Sequence, residues 1–419
     1  MRFISICSVP LAAALVACSL ADAPADEDGA AGMSSTGGSL ANAGTSSTAG
    51  NPQTAGNSGN PAGAGTAGSV SPGGASNAGS ASGGASAGGS AHLGGSANGG
   101  SGVGGTGVGG STHGPSNLPL PPGAGNVPKP SGTGATITVV TWAGFKGAVS
   151  YSFDDNNTSQ IQNYTQLNAL GVPFTFFMWT GKTESTNAIW KTALKDGHEI
   201  ANHTKSHQSA GSVADIEAAT VFIKEQLGVQ PWSMAAPNGA AVYTSLTKGL
   251  FFINRGVGNG LIGPGDNSDP FTLPTYIPPT GANATAFNTQ VDGARTGGKW
   301  RTMCIHGFTG DGSAYQPVPV DQFIEGVKYA KSTGELWLDT ITKVGAYWLG
   351  EKAFNAATTM TSGTDKTWTW KLPDRFPTGH YLRVTVAGGT LKQAGTALTW
   401  DPHGYYEIAL DAGSVTLSP

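Results

Sequence analysis

From Thr136 onward the chain alternates short apolar runs with longer mixed ones. Runs rich in β-branched and aromatic residues at 147–153, 172–178, 198–202, 231–235, 250–254, 301–305 and 335–338 read as strands. Between them, 158–170, 186–196, 213–227, 241–248 and 319–332 carry the three-to-four-residue apolar spacing of helices. Strand and helix in alternation predict an α/β architecture with a largely parallel sheet. Residues 260–299, dense in Gly, Pro, Asn and Thr, read as an excursion of loops. After about Phe354 the pattern shortens to a period of two, in 366–370, 381–386 and 405–410, which predicts a small all-β module at 353–419. Its aromatic residues suit core or interdomain packing better than a sugar-stacking platform.

Composition removes the first third of the chain from the foldable part. No aromatic residue lies between Phe3 and Trp142, and no charge between Asp28 and Lys129. Such a stretch has too little apolar surface to offset its conformational entropy, so 19–135 is expected to be a disordered tether with a reach of about 55–60 Å. Ahead of it, Arg2, an apolar run from Phe3 to Val16 and then Leu15-Val16-Ala17-Cys18 resemble a bacterial lipoprotein signal. That resemblance implies export, with residues 1–18 as signal and Cys18 lipid-anchored to the cell envelope. The alternative is an ordinary signal peptide and a secreted protein.

Without Arg2, Asp22, Asp26, Glu27 and Asp28, 21 basic and 22 acidic residues remain. A near-neutral fold argues against nucleic acid or an anionic membrane surface as partner. Of the three cysteines only Cys304 lies beyond the signal region, inside an apolar run, and it reads as a small buried hydrophobe.

The candidate chemistry sits at the ends of the expected strands. Ser152-Phe153-Asp154-Asp155 places two carboxylates where a strand stops, and His203-Thr204-Lys205-Ser206-His207 spaces two imidazoles four apart. One carboxylate and two imidazoles make a three-ligand set for a hydrolytic divalent ion, and the second carboxylate is then free to act as general base. Taken singly, each half also fits a turn-forming Asp pair and two solvated histidines.

Together, in their flanking sequence, the halves resemble the polysaccharide deacetylase family, which carries the NodB homology domain and is also called carbohydrate esterase family four. Ser152-Phe153-Asp154-Asp155 resembles its first motif, and Gly197-His198-Glu199-Ile200-Ala201-Asn202-His203-Thr204-Lys205-Ser206-His207 its second. Trp300-Arg301-Thr302-Met303-Cys304-Ile305-His306-Gly307 and Glu335-Leu336-Trp337-Leu338-Asp339-Thr340 resemble its last two strands, so the likeness spans about 142–350. It implies a distorted (β/α) barrel with fewer than eight regular units over 136–352. It also implies Asp154 as general base, Asp155, His203 and His207 as metal ligands, His306 as general acid and the Asn238 backbone N–H as an oxyanion donor. Zinc is the default ion, with cobalt or nickel as alternatives.

The chain departs from the family pattern in Met234-Ala235-Ala236-Pro237-Asn238-Gly239, where Ala235 stands for the arginine that holds the base and Asn238 for a tyrosine. Arg255, ending the run Phe251-Phe252-Ile253-Asn254, is the expected replacement, with Arg295 second. The expected activity is metal-dependent hydrolysis of acetyl groups from a carbohydrate polymer, by a monomer. Two alternatives stand beside it: a carbohydrate-binding protein that has lost catalysis, and an esterase acting on O-acetyl groups of a xylan-type glycan.

Overall fold

The computed structural model describes residues 116–419. The signal, Cys18 and most of the expected tether lie outside the described residues. The short first strand, β1 (Ile137–Val139), precedes seven parallel strands: β2 (Gly147–Asp154), β3 (Thr175–Met178), β4 (Glu199–Asn202), β5 (Ser233–Ala235), β6 (Ile253–Arg255), β7 (Trp300–Ile305) and β8 (Leu336–Leu338). The α-helices among the described residues are α1 (Thr158–Gln162), α2 (Tyr164–Asn168), α3 (Ile189–Lys195), α4 (Val213–Leu227), α5 (Tyr243–Leu246), α6 (Ala284–Gly297), α7 (Val320–Ser332) and α8 (Ile341–Asn355).

β2 is the central stave, and all eight of its residues are buried. A parallel strand covered on both faces reads as a continuous apolar run, as Gly147–Phe153 nearly does. Ala148 pairs with Trp300 of β7 and with Trp337 of β8, while Ser152 pairs with Cys304 of β7 and Thr175 of β3. β7 therefore runs along one edge of β2, and β8 and β3 divide the other edge between them. Beyond β3 the order continues through β4 and β5 to β6.

The gap between β6 and β7 is closed from within the stretch expected to be loops. Leu273 bridges Arg255 and Tyr276 bridges Met303. The Leu273 N–H donates to Asn254 O at 3.0 Å, and the Tyr276 N–H to Thr302 O at 2.9 Å. This corrects the reading of 260–299 as a loop excursion, since the stretch supplies a missing stave and also the helix α6. The stave escaped notice because Pro270 and Pro274 break its pattern and each side is a single bridge rather than a ladder. α6 was visible in principle: Asn283 caps it by accepting from the Ala286 N–H at 3.1 Å, Phe287, Val291 and Ala294 form its buried stripe, and Gly298 ends it at φ 64°. The fold is the expected distorted barrel with a small all-β part.

That β part comprises β9 (Thr358–Ser362), β10 (Asp365–Thr369), β11 (Tyr381–Val386), β12 (Thr390–Gln393), β13 (Thr396–Ala397), β14 (Tyr406–Ala409) and β15 (Ser414–Ser418). They form an antiparallel five-stranded sheet, β13-β12-β15-β10-β9, and a three-stranded sheet, β1-β11-β14. Trp368, Trp370 and Tyr406 are buried in a core continuous with Trp300, Trp337 and Trp348 of the barrel side, so these rings pack rather than form a platform. α8 lies between the two parts and is buried nearly all round, with Lys343 the one residue from Ile341 to Glu351 that is not buried.

Two expected boundaries move. β1, assigned by sequence to the barrel domain, pairs with β11, and Ser116, Val127 and Lys129, assigned to the tether, bond to Glu407, Trp400, Pro402 and Thr390 of the β module. The physical reason is Arg383, buried on β11 with Glu407 3.2 Å from its Nε. Its remaining donors reach Pro119 O and Ala143 O, each at 2.8 Å, and Leu118 O at 3.3 Å. Ser116 bonds the same Glu407 carboxylate through Oγ at 2.5 Å. A buried ion pair needs its donors satisfied, and the strap of 116–119 together with Ala143 O accepts from them.

Replacing Arg383 with Met leaves Glu407 buried without its cation, and should lower unfolding free energy by about 3–5 kcal/mol in urea titrations. The double replacement with Glu407→Met should recover much of that loss.

Candidate active site and metal centre

The candidate residues come from the C-terminal ends of neighbouring parallel strands, the rim where sites form in such barrels. Asp154 is the last residue of β2, His203 follows β4, Asn238 lies in the 3-10 turn Pro237–Gly239 after β5, Arg255 ends β6 and His306 follows β7. All seven expected residues line one cavity of about 410 Å³, together with Val257, Ile277 and Tyr315.

The turns that present them are conformationally costly. Asp155, Asn156, Thr204, His207 and Asn238 all have positive φ, at 71°, 43°, 62°, 55° and 53°. Left-handed backbone costs a non-glycine residue roughly 1–2 kcal/mol, most for a β-branched one such as Thr204. Side chains hold these turns in place. Asn202 Oδ1 accepts from the Thr204 N–H at 2.8 Å, Thr204 Oγ1 from the His207 N–H at 3.0 Å, and Asn156 Oδ1 from the Trp179 N–H at 2.8 Å. Gln160 Nε2 donates to the carbonyls of both Asp154 (2.5 Å) and His306 (2.9 Å), and Asn157 Nδ2 also donates to His306 O at 2.7 Å. Gln160 and Asn157 thus tie the ends of β2 and β7 together.

Asp155, His203 and His207 form a compact ligand set. Asp155 Oδ1 is 3.4 Å from His203 Nε2 and 3.3 Å from His207 Nε2, and the two Nε2 atoms are 3.1 Å apart. His203 Nδ1 donates to Ala235 O at 2.9 Å, which leaves Nε2 as the lone pair facing Asp155. Asp155 Oδ1 is buried with no hydrogen-bond partner among the described residues. A buried acceptor left unpaired beside two converging imidazole nitrogens fits a divalent cation, and the one-carboxylate, two-imidazole set fits zinc, cobalt or nickel. Trp179 stacks on His207 at 4.7 Å and fixes the ring from outside.

Asp154 is set apart from this trio by its partner. Its Oδ2 is bonded by Arg255 Nη2, and His306 Nε2 lies 3.8 Å from the same oxygen. Arg255 is 1% exposed, bonds Gly256 O through Nη1 at 3.0 Å and lies 5.3 Å from the Phe177 ring centroid. Arg255 and Ala235 are direct partners in the β5–β6 register. The guanidinium that the family pattern puts on β5 is therefore delivered from the adjacent stave at the same level. Arg295, the second candidate, sits on α6 and pairs with Asp292 at 3.0 Å and Glu335 at 3.2 Å, away from the cavity.

Burial alone would push the Asp154 carboxyl up, but the charges of Arg255, His203 and His306 outweigh it and hold the group well below the usual carboxylate range. Asp155 is lowered in the same way, against burial, by His203. Burial lowers His306 and His207, while the two aspartates outweigh burial at His203 and raise it. His198, in the lead-in to the second motif, is not at the cavity. Its Nδ1 accepts from the Phe174 N–H at 2.9 Å, and burial pushes it down to about 4.

Four groups at the site went unread in the sequence: Gln160, Asn157, Tyr315 and the placement of Cys304. Tyr315 is 59% exposed and meets His306 edge-on at 5.2 Å. The Asp-Asp-Asn-Asn run followed by Gln160 was the one available signal for the clamps. A separate cavity of about 330 Å³ opens at the opposite barrel end beside Glu199, whose carboxylate is already bonded by Thr175, Ser233 and Thr342.

Residues 144–249 match the family model described as polysaccharide deacetylase. Both candidate metal-ligand motifs fall within residues 144–249, while Arg255 and His306 lie beyond them. A gellan lyase of Bacillus sp is 35% identical over 79 residues, which are 18% of this chain. The matched part spans only 3% of that curated relative's length. Among solved structures, the family 4 carbohydrate esterase of Streptomyces lividans is 16% identical, with 47% of this chain and 94% of that one covered at a TM-score of 0.35. The Xyl-CE4 domain of a multidomain xylanase from the hindgut metagenome of Trinervitermes trinervoides is 18% identical, with 47% and 89% covered at 0.34. A peptidoglycan deacetylase of Bacillus subtilis is 19% identical, with 48% and 90% covered at 0.31.

Arg255→Ala should move the titration of the Asp154 carboxyl upward, to or above the ordinary carboxylate value, because burial then acts with less opposition. Carboxyl carbon NMR of the metal-free full chain reads this directly. An unchanged titration would mean that another charge holds Asp154.

Proposed function

We propose that the chain removes acetyl groups from a carbohydrate polymer by hydrolysis, with a divalent ion, zinc by default, held by Asp155, His203 and His207. One observation carries the reading. A carboxylate held ionised by Arg255, a three-ligand cation set and an imidazole share a single cavity at the strand ends.

When bound, the ion supplies Lewis-acid polarisation of the acetyl carbonyl and a lowered pKa for water. Asp154 takes the proton of the attacking water. Its Oδ1 is buried and has no partner among the described residues, while Oδ2 is fixed by Arg255, so one oxygen orients and the other accepts. The Asn238 backbone N–H donates to the oxygen of the tetrahedral carbon as negative charge develops there. Val257 closes over the same turn so tightly that a Cβ at Gly239 would collide with it. His306 then protonates the departing amine or alcohol. Burial lowers its pKa, which makes its protonated form a ready donor, and the Asp154 charge opposes that lowering. Tyr315 borders His306 on the open side and shields it from water on that flank.

On this reading the enzyme is exported and anchored through Cys18, and the tract before Ser116 lets it reach polymer away from its membrane. Nothing in the motifs separates N-acetyl from O-acetyl substrates. Acetate release by the metal-loaded full chain from chitin oligomers, peptidoglycan and acetylxylan separates them, and release from none would favour a carbohydrate-binding role.

Metal content and turnover should part company between the two aspartates. Asp154→Asn should keep the ion and lose turnover by roughly 10²–10⁴-fold, the usual worth of a positioned base. Asp155→Asn, His203→Ala and His207→Ala should each lose the ion itself by elemental analysis. Exchanged phenotypes for Asp154 and Asp155 would exchange their roles.

A further inference from the structure

We infer that Cys304, His306 and Asp154 make a second cation subsite, which takes a thiophilic divalent ion in excess and stops hydrolysis when filled. The inhibition rests on the roles proposed above for Asp154 and His306; the binding does not.

The sequence suggested a buried hydrophobe at Cys304, but its position in the fold is chemical. Cys304 lies near the C-terminal end of β7, two residues before His306, and is fully buried rather than part of the cavity lining. The Cys304 sulfur is 4.0 Å from each ring nitrogen of His306. Ligand atoms of Asp154, Cys304 and His306 all lie within 4.8 Å of one another. Asp154 Oδ1 supplies the independent observation: it is buried and has no hydrogen-bond partner among the described residues, while Arg255 engages only Oδ2. Thiol, imidazole and a free carboxylate oxygen are the donor set of a borderline or soft cation.

Arg255 sets the selectivity. Its positive charge opposes any second cation and already neutralises Asp154, so an oxygen-seeking ion such as Mg²⁺ gains little here. A thiophilic ion gains a sulfur bond as well: the Cys304 S–H bond breaks, its proton leaves to solvent, and the sulfur keeps the electron pair that binds the ion. The filled subsite ties up the base and the acid together, so the same ion that serves catalysis at Asp155, His203 and His207 inhibits at higher concentration.

The full chain, first given one equivalent of Zn²⁺, is titrated with Cd²⁺ and followed by the ultraviolet thiolate-to-cadmium charge-transfer band and by bound metal. The wild type should gain the band and a second equivalent, whereas Cys304→Ser should lose the part of the band due to this site and bind the second equivalent at least about tenfold more weakly. Cys304→Ala repeats the test in case a buried hydroxyl disturbs the fold. Inhibition by excess Cd²⁺ or Zn²⁺, relative to each variant's own one-equivalent rate, should weaken by the same factor, and Mg²⁺ should not inhibit. A band and stoichiometry unchanged by both replacements would overturn the subsite. Because these readouts need no turnover, a chain that releases no acetate but shows the cadmium signal keeps the subsite and loses the proposed function.

Discussion

The Asp154–Arg255 ion pair is the constraint around which the barrel mouth is arranged. Both side chains are buried, and a buried charge that loses its partner destabilises a fold by about 3–5 kcal/mol. The pair spans the sheet from its central stave to β6, so it holds the open side of the barrel against the side that carries the carboxylates. It also sets the chemistry. The guanidinium opposes the upward push of burial on Asp154, together with His203 and His306, so that a carboxylate persists in a cavity that also gathers three imidazoles.

That persistence depends on backbone held in unfavourable conformations. Five non-glycine residues in the left-handed region crowd around one cavity, each tied by a side-chain hydrogen bond or next to a residue that is. Such strain survives only where surrounding packing over-determines it. Here the packing is the aromatic layer behind β2 and β3, where Phe153 stacks on Phe176 at 5.2 Å and meets Phe174, Phe308 and Phe323 edge-on. Gln160 and Asn157 then carry that rigidity to the rim by clamping the carbonyls next to the candidate base and acid.

The β part belongs to the same construction. α8 is covered nearly all round because β2 packs on one flank and β11 on another, and Trp300 and Trp337 join its Trp348 in the same core. A helix so enclosed cannot keep a single apolar stripe, which is why its sequence shows no clear amphipathic period and no helix was expected at 341–355. The strap of 116–119 and β1 complete the β side by satisfying Arg383 and extending β11.

Local sequence was enough for what depends on local rules. Alternating strand and helix patterns carried the barrel, and the Asp-Asp and His-x-x-x-His groups with their flanks carried the deacetylase resemblance, because turn chemistry and ligand spacing are written within a few residues. Arg255 could be singled out because a strand-ending position on the rim needs only strand phase. What the tertiary structure decided are relations between distant segments. Single-bridge pairing lets 273–276 close the barrel, and the β5–β6 register sets Arg255 beside Ala235 so that the guanidinium reaches Asp154. Strand phase at β7 turns Cys304 toward His306 and Asp154 rather than into the apolar core. Each of these depends on which strand neighbours which and at what level, and that is settled by the packing of the whole barrel, which no window of sequence contains.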